Sequence, residues 1–262
     1  MNRVITAGID IGSSTSKVVI LADNQALSYS IIPTGAESAG SAQRAMDEAL
    51  RKTEHLSLKD IGWIIATGYG RVIVPFANET VTEISCHARG ANWLFPSVRT
   101  VLDMGGQDCK AIRCDDKGKL LNFAMNDKCA AGTGRFLEVM ADVMELPLED
   151  IGRLSLQATE EIRINSTCTV FGKSEVSSLI RQGRDKQDIL AGLHDAILHR
   201  VYTLLRKVGV EPELAITGGI AKNIGVVKRL EERVGLNALL PEEPQIVGAL
   251  GAALFARDKL SK

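Results

Sequence analysis

The chain has 262 residues, of which 45% are hydrophobic and 24% charged, so it can bury a sizeable core as one large domain or two small ones. The net charge of −1 with both signs dispersed argues against a nucleic-acid partner, and no apolar stretch approaches the roughly 20 residues that a membrane span needs. The N-terminus lacks a signal-peptide pattern and the five cysteines do not make a disulfide framework, so we expect a cytoplasmic protein.

Two segments of the chain match when they are laid side by side. They are DIGSSTSK at 10–17 and DMGGQDCK at 103–110, so that Asp, Gly and Lys recur at the same offsets 93 residues apart. Each segment lies between two apolar runs, and a polar turn and a third run follow. This pattern is typical of three antiparallel strands joined by tight turns. We therefore predict an internal duplication rather than two unrelated hairpins.

The rest of the chain alternates helical and strand patterns. Apolar spacing predicts helices over 38–56, 136–144, 189–208, 223–234 and 248–258. Short apolar runs predict strands over 61–67 and 214–216, and the second of these runs into the turn Thr217-Gly218-Gly219. Alternating strands and helices with glycine turns after strands predict an α/β protein with two similar halves.

The glycine turns of the repeats suit a phosphate group. Glycine lets backbone N–H groups approach an anion, the hydroxyl residues at 13–15 add donors, and Lys17 adds a positive charge. Asp10 and Asp103 stand just before the turns, where a carboxylate can hold hydrated Mg²⁺. The third turn, at 217–219, could seat an adenine and a ribose. The sequence contains neither a Walker-type loop nor a G-x-G-x-x-G helix start, so those two phosphate-binding classes are excluded.

Three segments resemble the two phosphate loops and the adenosine loop of the actin–hexokinase–Hsp70 ATPase superfamily: DIGSSTSK, DMGGQDCK and TGGIAKN. Four further segments are similar to the activator (component A) of 2-hydroxyacyl-CoA dehydratases: MNDKCAAGTGRFLEVMA, STCTVFGKSEV, TGYGR and TEISCHARGA. That activator belongs to the BadF/BadG/BcrA/BcrD ATPase family, which also serves benzoyl-CoA reductases. The resemblance runs from about Gly8 to Phe255.

The resemblance implies a duplicated ribonuclease H-like (actin-like ATPase) fold with a nucleotide cleft between two subdomains. Residues 1–96, joined by the C-terminal helix 248–262, would form the first subdomain, and residues 97–247 the second. Catalysis is assigned to Asp10 and Asp103 together with Mg²⁺. The binding of ATP or ADP is assigned to Gly12, Ser13, Ser14, Thr15, Ser16, Lys17, Gly105, Gly106, Gln107, Asp108, Gly218, Gly219 and Gln245.

Two cysteines stand just before helical segments. Cys129 precedes the predicted helix 136–144, and Cys168 precedes a second helical run. The free N–H groups at a helix N-terminus favour a thiolate or an anionic iron–sulfur cluster. On spacing alone, buried free thiols are the simpler interpretation, because 39 residues separate the two. The resemblance implies instead one 4Fe–4S cluster that bridges a homodimer, ligated by Cys129 and Cys168 of each subunit.

The function that the resemblance implies is ATP-dependent electron transfer. A reduced ferredoxin or flavodoxin would reduce the cluster, and ATP would close the two halves of each subunit on each other. Closure would expose the cluster and lower its potential before electron transfer to a dehydratase, or to a related reductase of the benzoyl-CoA or double-cubane type. Two other classes stay open at this point, a small-metabolite kinase of the same fold and a cluster-free regulatory nucleotide-binding module.

One departure from the family pattern follows the second cysteine. The family usually reads C-T-V-F-A-E-S-E, whereas this chain has Gly172 and Lys173 in place of Ala and Glu. We expect a cation there to stabilise the reduced cluster and to raise its potential. Of the other candidate ligands, Cys109 and Cys114 are expected on opposite faces of one strand, and His194 is expected to be solvated.

Overall fold

The first sheet of the molecule holds five strands in the order β3-β2-β1-β4-β5. The computed structural model describes residues 4–35, 38–126, 130, 132–164 and 168–260. The strands are β1 (Ile5–Ile11), β2 (Thr15–Ala22), β3 (Gln25–Pro33), β4 (Trp63–Thr67) and β5 (Glu79–Thr80). β1, β2 and β3 form an antiparallel meander, whereas β4 pairs parallel to β1 and β5 parallel to β4.

The second sheet repeats this arrangement strand for strand. Its strands are β6 (Thr100–Met104), β7 (Cys109–Cys114), β8 (Leu120–Asn126), β9 (Leu214–Thr217) and β10 (Ala238–Leu239), in the order β10-β9-β6-β7-β8. β6, β7 and β8 are antiparallel, and β9 pairs parallel to β6. The same succession of pairings in both sheets confirms the duplicated α/β fold.

Helices cover both sheets. In the described ranges they are α1 (Ser38–Arg51), α2 (Glu83–Leu94), α3 (Gly134–Val143), α4 (Ile151–Ser155), α5 (Thr169–Arg181), α6 (Lys186–Val208), α7 (Ile224–Val234) and α8 (Val247–Leu260). Short 3-10 turns occur at Leu58–Asp60, Arg71–Ile73, Gly219–Lys222 and Pro244–Ile246. None of the helices in these ranges is long and apolar enough to cross a membrane.

The sheets and helices stack in layers. α1 packs on one face of the first sheet and α8 on the other, so that β1 is buried on both sides. α6 packs on the outer face of the second sheet, and α2 lies between α8 and the inner face. The two middle helices are in backbone contact, because a Cβ added at Gly251 of α8 would lie only 1.8 Å from the Cys86 carbonyl oxygen.

Strand alternation turns two carboxylates toward this middle layer. Ile9 and Ile11 of β1 pack on α1, so Asp10 between them faces α8. Leu102 and Met104 of β6 pack in the core beneath α6, so Asp103 faces α2. Both carboxylates are nearly inaccessible, with exposed fractions of 6% and 4%.

The predicted helices and strands are present within a few residues of their expected ends, but two further helices were not predicted. The sequence patterns did not predict α2 or the short α4. α2 contacts both halves, through Ala88 and Ala91 in the core of the second sheet and through Trp93, which packs against the cluster that contains Val19 of the first sheet. The subdomain boundary at residue 96 stays a prediction.

Candidate functional site

The turns of the two repeated hairpins face each other. A Cβ added at Gly106 would lie 2.2 Å from the Ser14 Oγ atom, so the two turns approach closely. Asp10 pairs with Lys17 across the first hairpin, and Asp103 pairs with Lys110 across the second. A cleft of about 570 Å³ opens between the hairpins. A cleft of this size can enclose a ligand of nucleotide dimensions.

The cleft gathers the residues that the glycine turns predict for a nucleotide. It is lined by Asp10, Gly12, Ser13, Ser14, Thr15, Lys17, Asp103, Gly105, Gly106, Gln107, Asp108, Gly218, Gly219 and Gln245. Ser16 does not line it. Strand alternation turns this side chain away from Thr15 and Lys17, and its Oγ atom lies 2.8 Å from Thr34 Oγ1 in the interior. The Ser16 side chain therefore points away from the cleft, and the assignment of Ser16 to nucleotide binding stays a prediction.

The two repeated lysines lie in different surroundings. Lys17 Nζ lies 3.1 Å from Asp10 Oδ2 and borders the cleft beside Gly12. Lys110 is buried among three carboxylates, at 2.7 Å from Asp108, 3.3 Å from Asp103 and 3.9 Å from Glu83. Burial alone would lower the pKa of Lys110, but the neighbouring Asp103 and Asp108 raise it above its ordinary value. Lys17 is the more accessible of these two lysines of the cleft.

Charged neighbours also keep Asp103, the carboxylate of the second hairpin, ionised. Burial alone would raise the pKa of Asp103, but His87, Lys110 and Lys17 nearby, with a hydrogen bond from Thr217, hold it below its ordinary value. Asp103 is therefore a carboxylate across the neutral range. A buried carboxylate held ionised beside a phosphate site is a suitable partner for a hydrated divalent cation.

The charges of the whole cleft also fit a divalent cation. The lining carboxylates are Asp10, Glu83, Asp103, Asp108, Glu138 and Glu149, and the lining lysines are Lys17, Lys110 and Lys222. Carboxylates thus outnumber lysines, and a polyphosphate would add further negative charge. Binding of such an anion requires a cation such as Mg²⁺ to accompany it.

Helix α2 contributes side chains that sequence reasoning missed. Glu83 and His87, one turn apart, both line the cleft. His87 Nδ1 lies 3.0 Å from Thr217 Oγ1 and 3.5 Å from Asp103 Oδ1. The segment TEISCHARGA, which includes both residues, carried part of the family resemblance, but it gave no sign of a role for either side chain.

A second missed feature is the twin of the third glycine turn. Thr67 pairs with Asp10 as Thr217 pairs with Asp103. The glycines that follow, Gly68 and Gly218, have φ angles of +84° and +83°, a region open mainly to glycine. Both border the cleft. The duplication therefore extends beyond the hairpins to the turns after β4 and β9.

The cysteines separate into buried and exposed thiols. Cys129 lies outside the described residues. Cys86, Cys109 and Cys114 are buried, and burial raises the pKa of each thiol, to about 12 for Cys86 and about 11 for Cys114. Cys168 is exposed and precedes the first turn of α5. Within the described residues, no group of three or more His, Cys, Asp or Glu side chains is placed to hold a metal.

Two sequence expectations about other candidate ligands can be compared with their surroundings. Cys109 packs in the core under α6 and Cys114 in the core under α2, which confirms that they face opposite sides of the sheet. The expectation of a solvated His194 is wrong. Its ring is fully buried, 3.1 Å from Asn223 Oδ1, and burial lowers its pKa to about 4.

Comparison with known proteins places this architecture in a family. Residues 7–256 match the BadF/BadG/BcrA/BcrD ATPase family. The chain belongs to this family. An activator of lactoyl-CoA dehydratase from Anaerotignum propionicum is 46% identical over 98% of the chain and 99% of the relative. The crystal structure of (R)-2-hydroxyglutaryl-CoA dehydratase component A from Acidaminococcus fermentans has a TM-score of 0.94 at 44% identity. The match covers 99% of this chain and 100% of that one.

A third relative in the BadF/BadG/BcrA/BcrD family was solved with a nucleotide analogue. The activator of the 2-hydroxyisocaproyl-CoA dehydratase from Clostridium difficile, with bound ADPNP, has a TM-score of 0.93 at 41% identity, covering 98% of this chain and 96% of that one.

In this member of the BadF/BadG/BcrA/BcrD family, Gly172 packs where a larger residue would be crowded. A Cβ added there would lie 2.9 Å from Met140 Cε and 3.5 Å from Phe136 Cε2, so α5 rests closely on α3. Met140 ends in a flexible methyl group that can move aside. Lys173, the next residue, is exposed. The glycine thus permits the close packing of α5 on α3.

Proposed function

We propose that the chain is a cytoplasmic, ATP-hydrolysing activator that couples ATP to the low-potential, one-electron reduction of a partner enzyme. The acceptor is a 2-hydroxyacyl-CoA dehydratase, or alternatively a related reductase of the benzoyl-CoA or double-cubane type. The active form is a homodimer that receives electrons from a ferredoxin or flavodoxin. Close similarity to three proteins named as activators or components of such dehydratases supports this proposal.

One observation carries the coupling part of the proposal. The second phosphate turn is hydrogen-bonded to the start of α3, the helix that follows Cys129. The Gly134 N–H donates to the Gly105 carbonyl at 2.9 Å, and the Arg135 N–H donates to the Gly106 carbonyl at 2.8 Å. A nucleotide that shifts the turn must therefore shift the segment beside Cys129.

A third bond strengthens this connection. The Cys109 thiol, at the start of β7, donates to the Gly132 carbonyl at 2.9 Å in the interior. Because burial raises the pKa of Cys109, the thiol keeps its proton and remains a donor. Both ends of the second phosphate turn are thus attached to residues 132–135.

The residues of the cleft have separate tasks in this proposal. Lys17 and the hydroxyl groups at 13–15 bind the phosphates, and Asp10 and Asp103 hold the hydration shell of Mg²⁺. Binding between the two hairpins favours a closed arrangement of the halves, since both phosphate turns can contact one polyphosphate only when they are close. The differential affinity of ATP for the closed state would drive the change.

The exposed thiol at α5 fits a cluster ligand. Cys168 lies at the N-terminus of a 13-residue helix, where unpaired N–H groups favour anionic sulfur, while the described buried thiols are unsuited to a site at the surface. Cys129 and Cys168, with the same two residues of a second copy, would supply four thiolates. A 4Fe–4S cluster bound there would supply one-electron transfer at low potential.

The first test is the iron and acid-labile sulfide content of anaerobically purified protein, with the mass of the assembly. The proposal expects a dimer with about two irons per chain, half of a four-iron cluster. The rate of iron extraction by a chelator should then differ between ATP and ADP. A protein that stays iron-free after reconstitution, or equal rates with both nucleotides, would refute the electron-transfer function. Phosphorylation of small metabolites would instead favour a kinase.

A further inference from the structure

We infer that His87 is a positioning residue that orients Asp103 in the nucleotide cleft by way of the Thr217 hydroxyl. The inference rests on the proposed nucleotide site and assigns a role to a residue outside the glycine turns. His87 lies on α2, and its exposed fraction is 5%. Its partners are also buried, so solvent does not compete for their hydrogen bonds.

The direction of the hydrogen bonds follows from the donors available. Thr217 Oγ1 lies 3.1 Å from Asp103 Oδ1, and an ionised carboxylate only accepts, so the single hydroxyl proton points at Asp103. His87 Nδ1, at 3.0 Å from the same Oγ1, must then be the donor to it. A directed chain therefore runs from the imidazole N–H through the hydroxyl to the carboxylate.

The other carboxylate oxygen of Asp103 is held separately. Lys110 Nζ lies 3.3 Å from Asp103 Oδ2. With one donor on each oxygen, the plane of the carboxylate cannot rotate without the loss of a buried bond, which costs about 1–3 kcal/mol for the group left unsatisfied. The orientation of Asp103 is thereby fixed relative to the cleft, where a hydrated cation would be held.

His87 also lies beside the other carboxylate of the cleft. A Cβ added at Gly248 of α8 would meet His87 Nε2 at 2.9 Å and Asp10 Oδ2 at 3.3 Å, so the imidazole edge and Asp10 border the same point. α8 packs on the first sheet, whereas Thr217 belongs to the second. His87 therefore stands at the contact between the halves and can sense their separation.

Two substitutions distinguish the roles of the two ring nitrogens of His87. His87→Asn keeps an N–H donor near the position of Nδ1, whereas His87→Gln places its amide near the position of Nε2 and loses the donor to Thr217. Loss of a residue that orients a metal-binding group lowers metal affinity by about 10–100-fold. We expect His87→Gln to weaken Mg²⁺-dependent binding of ADP by that factor, and His87→Asn to change it by less than about threefold.

The measurement is calorimetric titration with ADP, with and without Mg²⁺, alongside the Mg²⁺ dependence of ATP hydrolysis and a thermal melt. Binding of metal-free ADP should be unchanged in both variants. His199→Asn, an exposed histidine on α6, is the matched control and should behave as the parent. Thr217→Val should reproduce the His87→Gln defect, and the double variant should be no worse than either single one.

Three outcomes would overturn the inference: equal defects in His87→Asn and His87→Gln, no change in Mg²⁺-dependent binding in either, or additive effects with Thr217→Val. A parent protein that binds no Mg²⁺–nucleotide would instead overturn the proposed function, and this inference with it. A parent that binds normally while the variants remain unaffected would remove only the role of His87.

Discussion

Replacement of Lys110 by methionine removes the ammonium group that lies among Asp103, Asp108 and Glu83. The gross attraction to Asp103 alone, at 3.3 Å, is about 5 kcal/mol for an effective dielectric constant of about 20. The cost of burying the charges opposes it, and removal of one member of a buried ion pair costs about 3–5 kcal/mol in practice. For a chain of this size that corresponds to a fall in Tm of about 6–20 °C.

The twin residue Lys17 gives the matched control. It forms an ion pair with Asp10, whereas Lys110 lies among three carboxylates, so Lys17→Met should cost less stability, about 1.5–3 kcal/mol. It should lose more ATP affinity than Lys110→Met does, by about tenfold or more, since the Lys17 side chain is the more accessible of the two in the cleft. Urea unfolding of both variants measures which one loses more stability, and ATP titration measures which one loses more affinity.

The pH dependence of the free energy of unfolding provides an independent check on the Lys110–Asp103 ion pair. Because the pKa of Asp103 is lowered in the folded parent, its contribution to stability is present above the unfolded value of 3.8 and is lost as the pH falls through the folded pKa. Without Lys110 the folded pKa of Asp103 rises. The stability difference between parent and variant should therefore be largest near neutral pH and shrink as the pH falls below the unfolded value of 3.8. A Lys110→Met protein within about 1 kcal/mol of the parent at neutral pH would refute the reasoning.

Three further predictions test other parts of the site. Gly218→Ala would place a Cβ 2.4 Å from the Met104 carbonyl oxygen and should lower both Tm and ATP affinity. The control Gly183→Ala is also at positive φ but has open space around it, so it should cost only backbone strain of about 1 kcal/mol. A thermal melt and an ATP titration of both variants test this difference. Cys109→Ala should reduce the ATP–ADP difference in iron extraction, while Cys109→Ser, which keeps a donor, should retain it; equal behaviour would exclude the bond to Gly132 as a link. Lys173→Glu should lower the cluster potential in a redox titration, and an unchanged or higher value would contradict the electrostatic argument.

The sequence predicts the two hairpins well because their chemistry and their local pairing coincide. Asp, Gly and Lys recur at fixed offsets, and a tight turn brings Asp10 opposite Lys17 and Asp103 opposite Lys110 without help from the rest of the fold. The face of each residue is harder to predict at the turn itself. Ser16 reads as part of the polar loop, yet it already belongs to β2 and points into the interior.

Features that depend on long-range packing could not be predicted in the same way. α2 lacks a clear apolar stripe because it is buried against both α8 and the second sheet, so small and polar residues such as Cys86, His87 and Gly90 occupy its core positions. The twin turn at Gly68 is hidden because it shares only Thr-Gly with the turn at Gly218. The correspondence emerges from strand register, which pairs each threonine with the aspartate of its own half.

Divergence between the repeats gives the cleft two unlike sides. In the first half, Asp10 is held by the partly accessible Lys17, which in the proposed function also binds the phosphates. In the second half, Lys110, which lies among three carboxylates, contacts one oxygen of Asp103, and the Thr217 hydroxyl donates to the other. The second half therefore presents a carboxylate of fixed orientation, and its phosphate turn is attached to the start of α3. Since rearrangement of the rigid turn would cost buried hydrogen bonds, movement caused by a ligand is more readily passed to α3 as a whole than absorbed within the turn.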